Sequence, residues 1–584
     1  MEIVENVGLV HTRLAIVDPT ERAHQPVRHP AGDWWLSFNG EVFNHQELRR
    51  ELGDGTLFSP GDTETLLRAL VAWGAAALPR LNGQFAFAAL DLKRRRLLLA
   101  RDRFGIKPLY VAETAEGVWF ASEPQALIAA GIAPRARVGS WQGILEGACY
   151  GGRQTLLEGV HRLPPGACAS IPLDAPRLDD RPWVKPNDQV DPHLQQQLQG
   201  RSRRHLADVL EGRLREAVHD ALLGDVPIGT LCSGGVDSAV ITALATETGA
   251  APVAFGARYR GDPALDEGPA AARVAAACGV ELDMLTVTEA GWRSGFVAAT
   301  VHFGAPLANA SAVTVAQMAE RARSQGIKVL LTGEGADELF AGYDSLHRDS
   351  LTAFLSPAAQ RVRGFEPLLS AAPAGSRVSL VIEALRAIGS GGPAPDWSTL
   401  AQTDEGDARS AEPTRAYINH PGPRGELEGE LLRLMDYTLC HLLNRMDTSM
   451  MQFSVEARVP FLDPRVVTLA LNLPLEVRVG PWSKGLLRDV ARRLLPWSLA
   501  HRPKIYGMDF DAGAWIEAAA DRRFLLDGVL REVFELSTSE LTESLGRSSG
   551  ALRVRIWSAE VWCRALLAGQ EIPEIEDALW PGGP

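Results

Sequence analysis

The hexapeptide SGGVDS at residues 233–238 constrains the fold more than any other feature of this sequence. It directly follows the apolar segment VPIGTLC and directly precedes the helical pattern AVITALATETG. A glycine-rich turn between a strand and a helix presents backbone N–H groups and a helix N-terminus to an anion, so a nucleoside triphosphate or pyrophosphate would fit there. Asp237 adds a carboxylate beside such phosphates, which favours a bridging magnesium ion. An ordinary strand-to-helix turn with a serine N-cap is the alternative.

A second glycine-rich turn, TGEG at residues 332–335, follows the apolar strand VLL and precedes the helical segment ADELF. Ligands of a doubly wound sheet collect at the carboxyl ends of its strands, so we expect the two turns to face one crevice. Asp337 would then share the metal ion with Asp237. The alternative is a solvated helix start, in which the acidic side chains complement the helix dipole.

Helical and apolar segments alternate from Ala207 onward, which predicts a parallel, doubly wound α/β sheet in a domain spanning residues 205–584. Within it, the Ala-, Pro-, Gly- and Ser-rich stretch 355–415 is expected to be irregular. The chain carries 59 basic and 72 acidic residues, a net charge of −13. Because this charge disfavours a nucleic acid or an anionic membrane as partner, any bound phosphate must be held locally.

The first 172 residues have a different pattern, in which short apolar segments alternate with turns. This pattern predicts an antiparallel, β-rich α+β domain. One helix is expected from Asp62 to Trp73, with Asp62 as its N-cap. Residues 173–204 are polar and rich in Pro, Asp and Gln, which predicts a connector between the two domains.

The cysteines are scattered along the chain without a C-x-x-C pair, which argues against a structural zinc site and against a disulfide framework. They are Cys149, Cys168, Cys232, Cys278, Cys440 and Cys563. The amino terminus lacks a basic segment followed by an apolar core, and no later apolar run has the length of a membrane span. We therefore predict a cytoplasmic protein.

Taken together, SGGVDS, TGEGADELFAGY, VEARVPFLD and HRPK, in this order and spacing, resemble the glutamine-dependent asparagine synthetase family. The N-terminal half resembles the glutaminase domain of class II, N-terminal-nucleophile amidotransferases. The segments that carry this resemblance are HTRLAIVD, FNGEVFNHQELR, GDTETLL, LNGQFAFAALD and ARDRFGIKPLY. The resemblance implies an N-terminal-nucleophile-hydrolase-like α+β domain followed by an α/β ATP-pyrophosphatase domain.

In such synthetases MgATP activates a substrate carboxylate as an acyl-adenylate, and a nitrogen nucleophile then displaces AMP. The resemblance therefore implies ATP and Mg²⁺ as cofactors, with Asp237 and Asp337 as the metal ligands. The residues that match the ATP- and pyrophosphate-binding positions are Ser233, Gly234, Gly235, Asp237, Ser238 and Gly333.

Two residues match catalytic positions of the family. Glu334 matches a glutamate that faces the adenylate and the amine, where it would accept a proton from the incoming ammonium. Lys504 matches a lysine that stabilises the charged transition state of adenylation. Outside the resemblance, a single lysine predicts only solvated surface, and Lys484 in PWSKGLL is a weaker candidate of the same kind.

In the N-terminal half, five residues match those that hold glutamine in the family. The arginine binds the α-carboxylate of glutamine, the two acids bind its α-amine, and the Asn–Gly pair stabilises the oxyanion. They are Arg13, Asn39, Gly40, Glu41 and Asp62. In the family, the thiol of an N-terminal cysteine attacks the glutamine amide. This sequence departs from the family there, because neither that cysteine nor the strand and helix around it is found in it. We therefore expect an N-terminally truncated glutaminase-like domain that does not hydrolyse glutamine.

Two explanations for this departure stay open: a shortened start of a working glutaminase, or a scaffold domain in a synthetase that uses ammonia or an amine. The resemblance predicts an AMP-forming amide ligase acting on a small-molecule or peptide carboxylate, without nucleic-acid or membrane partners. A homodimer is left open. The alternatives are a tailoring ligase that forms an amide or macrolactam in a natural-product pathway and a catalytically idle binding homologue. The intact SGGVDS, Asp337 and Lys504 disfavour the idle homologue.

Overall fold

The structure is a computed structural model that describes residues 1–53, 59–146, 152–248, 253–343, 423–436, 438–478, 483–502, 510–546 and 549–583. Lys504, Cys149 and the stretch 355–415 that the sequence predicts to be irregular lie outside the described residues.

Antiparallel strands dominate the N-terminal half, as the spacing of its apolar segments predicts. They are β1 (Glu2–Val4), β2 (Val7–Leu9), β3 (Val27–Arg28), β4 (Trp34–Val42), β5 (Gly83–Asp91), β6 (Arg96–Arg101), β7 (Tyr110–Thr114), β8 (Gly117–Ala121), β9 (Val160–Arg162), β10 (Ala167–Pro172) and β11 (Asp180–Pro182). A six-stranded sheet has the order β11-β10-β6-β5-β4-β3, a three-stranded sheet has the order β8-β7-β9, and β1 and β2 form a separate hairpin.

The sequence of β5, GQFAFAALD, explains why the six-stranded sheet is buried on both faces. Successive residues of a strand point to opposite faces, and here both sets are apolar. Phe87 packs in one core with Leu66 and Leu70 of a helix, whereas Leu90 packs in the core of the other face with Val111 of β7. The large sheet is therefore the middle layer between a helix and the smaller sheet.

The helix Asp62–Trp73 has the bounds that the sequence predicts, but its cap differs. Gly61 is the N-cap and Asp62 is the first helical residue, so the prediction that Asp62 caps the helix is wrong. The Asp62 carboxylate instead accepts the backbone N–H of Val42 at 2.9 Å. This bond ties the start of the helix to the end of β4.

Five parallel strands form the sheet of the C-terminal half: β12 (Ile228–Leu231), β13 (Ala254–Tyr259), β14 (Leu282–Val287), β15 (Val329–Leu331) and β16 (Glu456–Arg458). Their order is β14-β13-β12-β15-β16, so the strand order reverses between β12 and β15. In β15, Val329 and Leu331 pack into one apolar core and Leu330 packs into another. Helices therefore cover both faces, and ligands of such sheets bind where the order reverses.

The helices of the N-terminal half are His45–Leu52, Asp62–Trp73, Pro124–Ala129 and Trp141–Glu146. Those of the C-terminal half are Arg203–Ala221, Val236–Glu247, Gly268–Cys278, Glu289–Phe303, Ser311–Ser324, Ala336–Phe340, Pro423–Asp436, Thr438–Met451, Pro464–Asn472, Leu475–Arg478, Gly485–Leu494, Trp497–Ala500, Ala512–Ala519, Arg522–Leu526, Val529–Val533, Thr538–Gly546, Gly550–Trp562 and Ile572–Leu579. Within the described ranges, no helix combines the length and the apolar character needed to span a bilayer.

The predicted connector, residues 173–204, contains regular structure. Strand β11 extends the six-stranded sheet by pairing with β10, and the helix Pro192–Leu198 follows. Asn472 of the C-terminal half donates its side-chain amide to the carbonyl of Gln189 at 2.7 Å. The connector therefore packs against the C-terminal half, and the exact domain boundaries stay a prediction.

Candidate active site

The SGGVDS turn leads from β12 into the helix Val236–Glu247, as the sequence predicts. Gly234 has φ +77°, and a Cβ there would lie 2.5 Å from the backbone nitrogen of Ala271, so only glycine fits. The N-cap of the helix is Gly235, and no side chain caps the first turn. The alternative of a serine N-cap is therefore wrong, and the N-terminal amides of this helix are available to an anion.

The two serines of the turn bond to the turn itself. The Ser233 N–H donates to the Ser238 hydroxyl oxygen at 3.2 Å, and the Ser238 hydroxyl donates to the Gly235 carbonyl at the same distance. The Gly235 N–H bonds the Ser233 hydroxyl oxygen at 3.3 Å. These bonds hold the loop in one shape before any ligand binds.

The turn after β15 packs directly against the SGGVDS turn. A Cβ on Gly333 would lie 2.9 Å from the Asp237 Cβ and 2.9 Å from the backbone nitrogen of Ser238. Strands β12 and β15 are neighbours in the sheet, so the two turns lie side by side at its carboxyl edge. The structure thus brings both predicted turns into one crevice.

Lys484 connects the two predicted metal ligands. Its ammonium pairs with the Asp237 carboxylate and with Asp337 Oδ1, the latter at 2.7 Å, and the side chain is 3% exposed. Lys484 is the N-cap of the helix Gly485–Leu494 and has φ +60°, and its N–H donates to the carbonyl of Phe340 at 3.2 Å. Lys484, the weaker of the two lysine candidates in the sequence, is therefore the one that lies in the crevice between the SGGVDS and TGEG turns.

Asp237 and Asp337 fit a magnesium ion because their carboxylates already converge on one cationic group. Mg²⁺ is usually held by one or two carboxylates together with substrate phosphates. No group of three or more His, Cys, Asp or Glu side chains arranged for a metal is found in the described part of the chain. Two converging carboxylates therefore fit a magnesium ion whose remaining ligands come from a phosphate.

Glu334 faces an arginine that the sequence analysis did not identify. Glu334 Oε1 lies 3.4 Å from Arg445 Nη2, and Arg445 Nη1 donates to the Ser311 hydroxyl at 2.9 Å. The N-cap of the following helix is Gly335, so Glu334 does not cap it. Arg445 lies in the middle of the helix Thr438–Met451, and no local pattern in its sequence distinguishes it from a surface arginine.

Glu338 is the third acid of the TGEGADE segment, and it points inward. Tyr343 donates its hydroxyl to Glu338 Oε1 at 2.5 Å. Burial, followed by the neighbouring Asp337 carboxylate, raises the pKa of Glu338 to about 7. Repulsion among the three acids is thereby reduced, because one of them holds its proton near neutral pH.

Arg502 brings the segment HRPK to the SGGVDS turn. Its guanidinium donates to the carbonyl of Gly234 at 3.3 Å. Arg488 donates to the carbonyls of Ala500 and Arg502 at 2.8 and 3.0 Å and so fixes the chain that leads there. Lys504 itself lies outside the described residues, and its role stays a prediction.

All five residues that match the glutamine pocket line one cavity of about 1140 Å³, most of whose wall belongs to the N-terminal half. The Arg13 guanidinium donates to the carbonyls of Val17 and Asp18 at 2.7 Å each. Asn39 and Gly40 lie on β4, where the Asn39 amide donates to the Ser122 hydroxyl at 3.4 Å.

Glu41 and Asp62 form a buried acid pair in this cavity. Burial, and next the Asp62 carboxyl, raise the pKa of Glu41 well above its usual range, although Arg458 opposes the shift. Burial also raises the pKa of Asp62, against the N–H bond from Val42. Because the two carboxyls share a hydrogen bond, the pair retains a proton above the pH at which an isolated carboxyl loses it.

A buried network of charges joins this cavity to the C-terminal half. Arg458 lies 3.1 Å from Glu41 and 2.8 Å from Glu456, and Lys107 lies 2.7 Å from Asp447 and 3.4 Å from Glu456. Burial lowers the pKa of Lys107, but Asp447 and Glu456 outweigh it and the net shift is upward. Asp447 and Glu456 also line the cavity, so both halves of the chain contribute to its wall.

Two family models match this chain, one in each half. A family model described as asparagine synthase matches residues 209–560, and one described as a glutamine amidotransferase domain matches residues 2–183. A Mycobacterium tuberculosis protein named putative asparagine synthetase (glutamine-hydrolyzing) is 31% identical over 87% of this chain and 80% of its own length. Asparagine synthetase (glutamine-hydrolyzing) 1 of Bacillus subtilis is 28% identical over 86% and 79%. The amidase chyE of Penicillium rubens is 30% identical over 59% and 52%.

Proposed function

This chain belongs to the asparagine synthase family and is an ATP-dependent carbon–nitrogen ligase. From that premise we propose that it adenylates a carboxylate, with release of pyrophosphate, and then forms an amide from the adenylate and ammonia or an amine. The observation that carries the proposal is the contact between the SGGVDS and TGEG turns, with Lys484 joining Asp237 to Asp337.

In the adenylation step the SGGVDS turn binds the phosphates through its amides and the helix N-terminus. Asp237 and Asp337 would hold Mg²⁺, which supplies positive charge to the phosphates when bound. Lys484 supplies a second positive charge at the same place, since its ammonium pairs with both carboxylates.

In the amide-forming step Glu334 is the proton acceptor that the attacking amine requires. The Arg445 guanidinium holds the Glu334 carboxylate from one side, and the Ser311 hydroxyl holds the arginine in turn. A carboxylate fixed in this way stays directed at the crevice while the nucleophile enters.

For the nitrogen source we propose ammonia or an amine, whose proton Glu334 would accept during attack on the adenylate. The expectation that the chain does not hydrolyse glutamine stays a prediction.

Pyrophosphate release measured against a panel of carboxylic acids, beginning with aspartate, tests the proposal and identifies the substrate. One acid that raises release at least tenfold above the acid-free rate, with equimolar AMP and amide when ammonium is added, is the expected result. ADP and inorganic phosphate as the products would contradict an AMP-forming ligase.

The same panel distinguishes the tailoring ligase from an asparagine-forming enzyme, because the chemistry is shared and only the carboxylate differs. A peptide or other non-amino-acid carboxylate as the best substrate would favour the tailoring ligase. Lys484 keeps its buried ion pairs with Asp237 and Asp337. These pairs disfavour an idle homologue, because burying a cation between two acids costs desolvation free energy that an inactive protein gains nothing from.

A further inference from the structure

A second cavity, of about 340 Å³, lies where the N-terminal and C-terminal halves meet. This volume is at the lower end of the roughly 300–1,000 Å³ that is usual for small-molecule sites. Its wall includes Phe43, Arg50 and Arg103 of the N-terminal half and His219, Leu223 and Arg465 of the C-terminal half. We refer to it as the interface cleft, and it shares no residue with the cavity that contains Arg13 and Glu41.

The wall of the interface cleft is rich in arginine. It carries four arginines and two carboxylates, Glu47 and Asp220. Two further carboxylates, Glu51 and Asp463, lie outside the wall and pair with two of its arginines. The arginines that are left without a carboxylate partner therefore decide what the cleft can bind.

Two of the four arginines are already engaged. Arg465 lies 2.6 Å from both Asp220 and Asp463, and Arg80 lies 2.8 Å from Glu51. The guanidinium groups of Arg50 and Arg103, by contrast, have no ion pair or hydrogen bond with any residue in the described ranges. The cleft thus offers two guanidinium groups to a ligand.

The surroundings of Arg103 hold it in place without neutralising it. Its guanidinium lies over the Trp183 ring, 5.2 Å from the centroid. The two carboxylates that stabilise the charge of the Arg103 guanidinium are Asp102 and Asp463. Asp102 accepts backbone N–H groups at 2.9–3.0 Å, and Asp463 is held by Arg465, so both carboxylates have other partners.

We propose that the interface cleft binds a small phosphate-bearing metabolite through Arg50 and Arg103. The planar guanidinium group donates two parallel N–H bonds, a geometry that matches phosphate oxygens. A phosphate monoester carries about −1.5 to −2 charges near pH 7, which would compensate the charges of these two guanidinium groups. Phe43 and Leu223 provide apolar surface for the remainder of the ligand. This site is separate from the proposed catalytic crevice and does not rest on the proposed function.

Two wall residues link the interface cleft to the buried charges between the domains. The Phe43 ring lies 5.4 Å from the Arg458 guanidinium, and the Leu223 carbonyl accepts a hydrogen bond from Arg458. Arg458 in turn pairs with Glu41 in the large cavity. A ligand in the cleft would contact two residues that position this interdomain ion pair, so we expect its binding to be coupled to the pair, and we call this coupling the regulatory link.

Calorimetric titration of the full chain tests the proposal with inorganic phosphate, pyrophosphate, AMP and succinate as probes. A non-hydrolysable ATP analogue with Mg²⁺ is kept saturating, so that the SGGVDS turn is not counted as a second site. We expect at least one phosphate probe to bind with one-to-one stoichiometry. Arg50→Ala and Arg103→Ala should each weaken this binding at least tenfold, while Arg204→Ala, an exposed arginine outside the cleft, should leave it unchanged.

Because Arg50 is exposed near a helix end, Arg50→Ala keeps the test interpretable even where Arg103→Ala fails to fold. No binding of any phosphate probe to the analogue-saturated protein would overturn the proposal, and so would unchanged binding in both cleft variants. Succinate binding more tightly than every phosphate probe would overturn the assignment to phosphate. The regulatory link predicts slower amide hydrogen exchange at residues 219–223 when the best probe is bound, and no change there would overturn that link.

Discussion

At the scale of single residues, Lys484 decides how two acidic side chains can remain next to each other at the SGGVDS and TGEG turns. Asp237 and Asp337 both pair with its ammonium, and only 3% of the lysine side chain is exposed. Like charges this close would repel strongly in a partly buried crevice without the lysine or a metal. The Lys484 ammonium is therefore already positioned between the two carboxylates before any substrate binds.

Glu334 carries the first prediction at this scale. Glu334→Gln keeps the shape of the side chain and removes its capacity to accept a proton, so amide formation should fall about 100-fold or more while adenylation is retained. Pyrophosphate exchange and amide yield are measured on the same variant, with Glu116→Gln, an exposed glutamate of the N-terminal half, as the control. Equal losses in both half-reactions would contradict the role of Glu334 as proton acceptor.

Glu338 carries a prediction about pH. Its pKa is about 7 in the folded protein because of burial, against an ordinary value near 4.5. The unfolded chain therefore loses this proton first as pH rises, and the free energy of unfolding should fall between about pH 4.5 and 7 and level off above. Compared with Glu338→Gln, which does not titrate, wild type should lose stability on the order of 1–3 kcal/mol across this range.

Thermal unfolding midpoints of wild type and Glu338→Gln, taken in EDTA at pH 5 and pH 7.5, measure this difference. The midpoint of wild type relative to the variant should be lower at pH 7.5 than at pH 5. The prediction is contradicted when the two proteins keep the same difference at both pH values.

At the scale of secondary-structure elements, β16 links the parallel sheet to the N-terminal half. This three-residue strand, Glu456–Arg458, pairs with β15, and its two terminal side chains extend into the buried network that includes Glu41 and Lys107. Arg458 also donates to the Ala221 carbonyl at 2.9 Å. A single short strand thus holds charges from both halves in one low-dielectric region.

Arg458→Met should be strongly destabilising, because it removes the buried arginine that pairs with Glu41 and leaves Glu456 with Lys107 alone. Breaking a buried ion pair by removing one partner typically costs about 3–5 kcal/mol. Adding Glu41→Gln to this variant should recover part of the loss. Urea unfolding midpoints check both variants, and Arg94→Met serves as control because the side chain of Arg94 is 71% exposed in its pair with Asp91. An Arg458→Met midpoint no lower than that of the control would contradict the account.

These elements also indicate how far the sequence could predict the structure. The two glycine-rich turns and the helix Asp62–Trp73 were predictable because strand–turn–helix patterns and apolar periodicity are local. The sequence alone does not single out Lys484, because its partner Asp237 is 247 residues away in the chain and only the packed fold brings them together. Nor does it predict the N-cap at Gly61, because the Asp62 carboxylate bonds to β4 rather than to its own helix.

At the scale of the whole molecule, both halves contribute to the wall of the large cavity, whereas the residues proposed for adenylation lie in the C-terminal half. We expect ammonium to support amide formation in the absence of glutamine, because the proposed proton acceptor Glu334 is part of the C-terminal half. The amide yield with ammonium as the added nitrogen source measures this, and no amide above background would contradict it.

The central claim is that the SGGVDS and TGEG turns and Lys484 form one adenylation site, and ATP–pyrophosphate exchange tests it most directly. Exchange should require Mg²⁺ and the substrate carboxylate. It should fall about 100- to 1,000-fold in Asp237→Asn and in Lys484→Ala, since each removes a preorganised charge at the phosphates. Asp174→Asn, at an exposed carboxylate far from the turns in the sequence, should exchange at the wild-type rate. Wild-type exchange rates in Asp237→Asn and Lys484→Ala would contradict the claim.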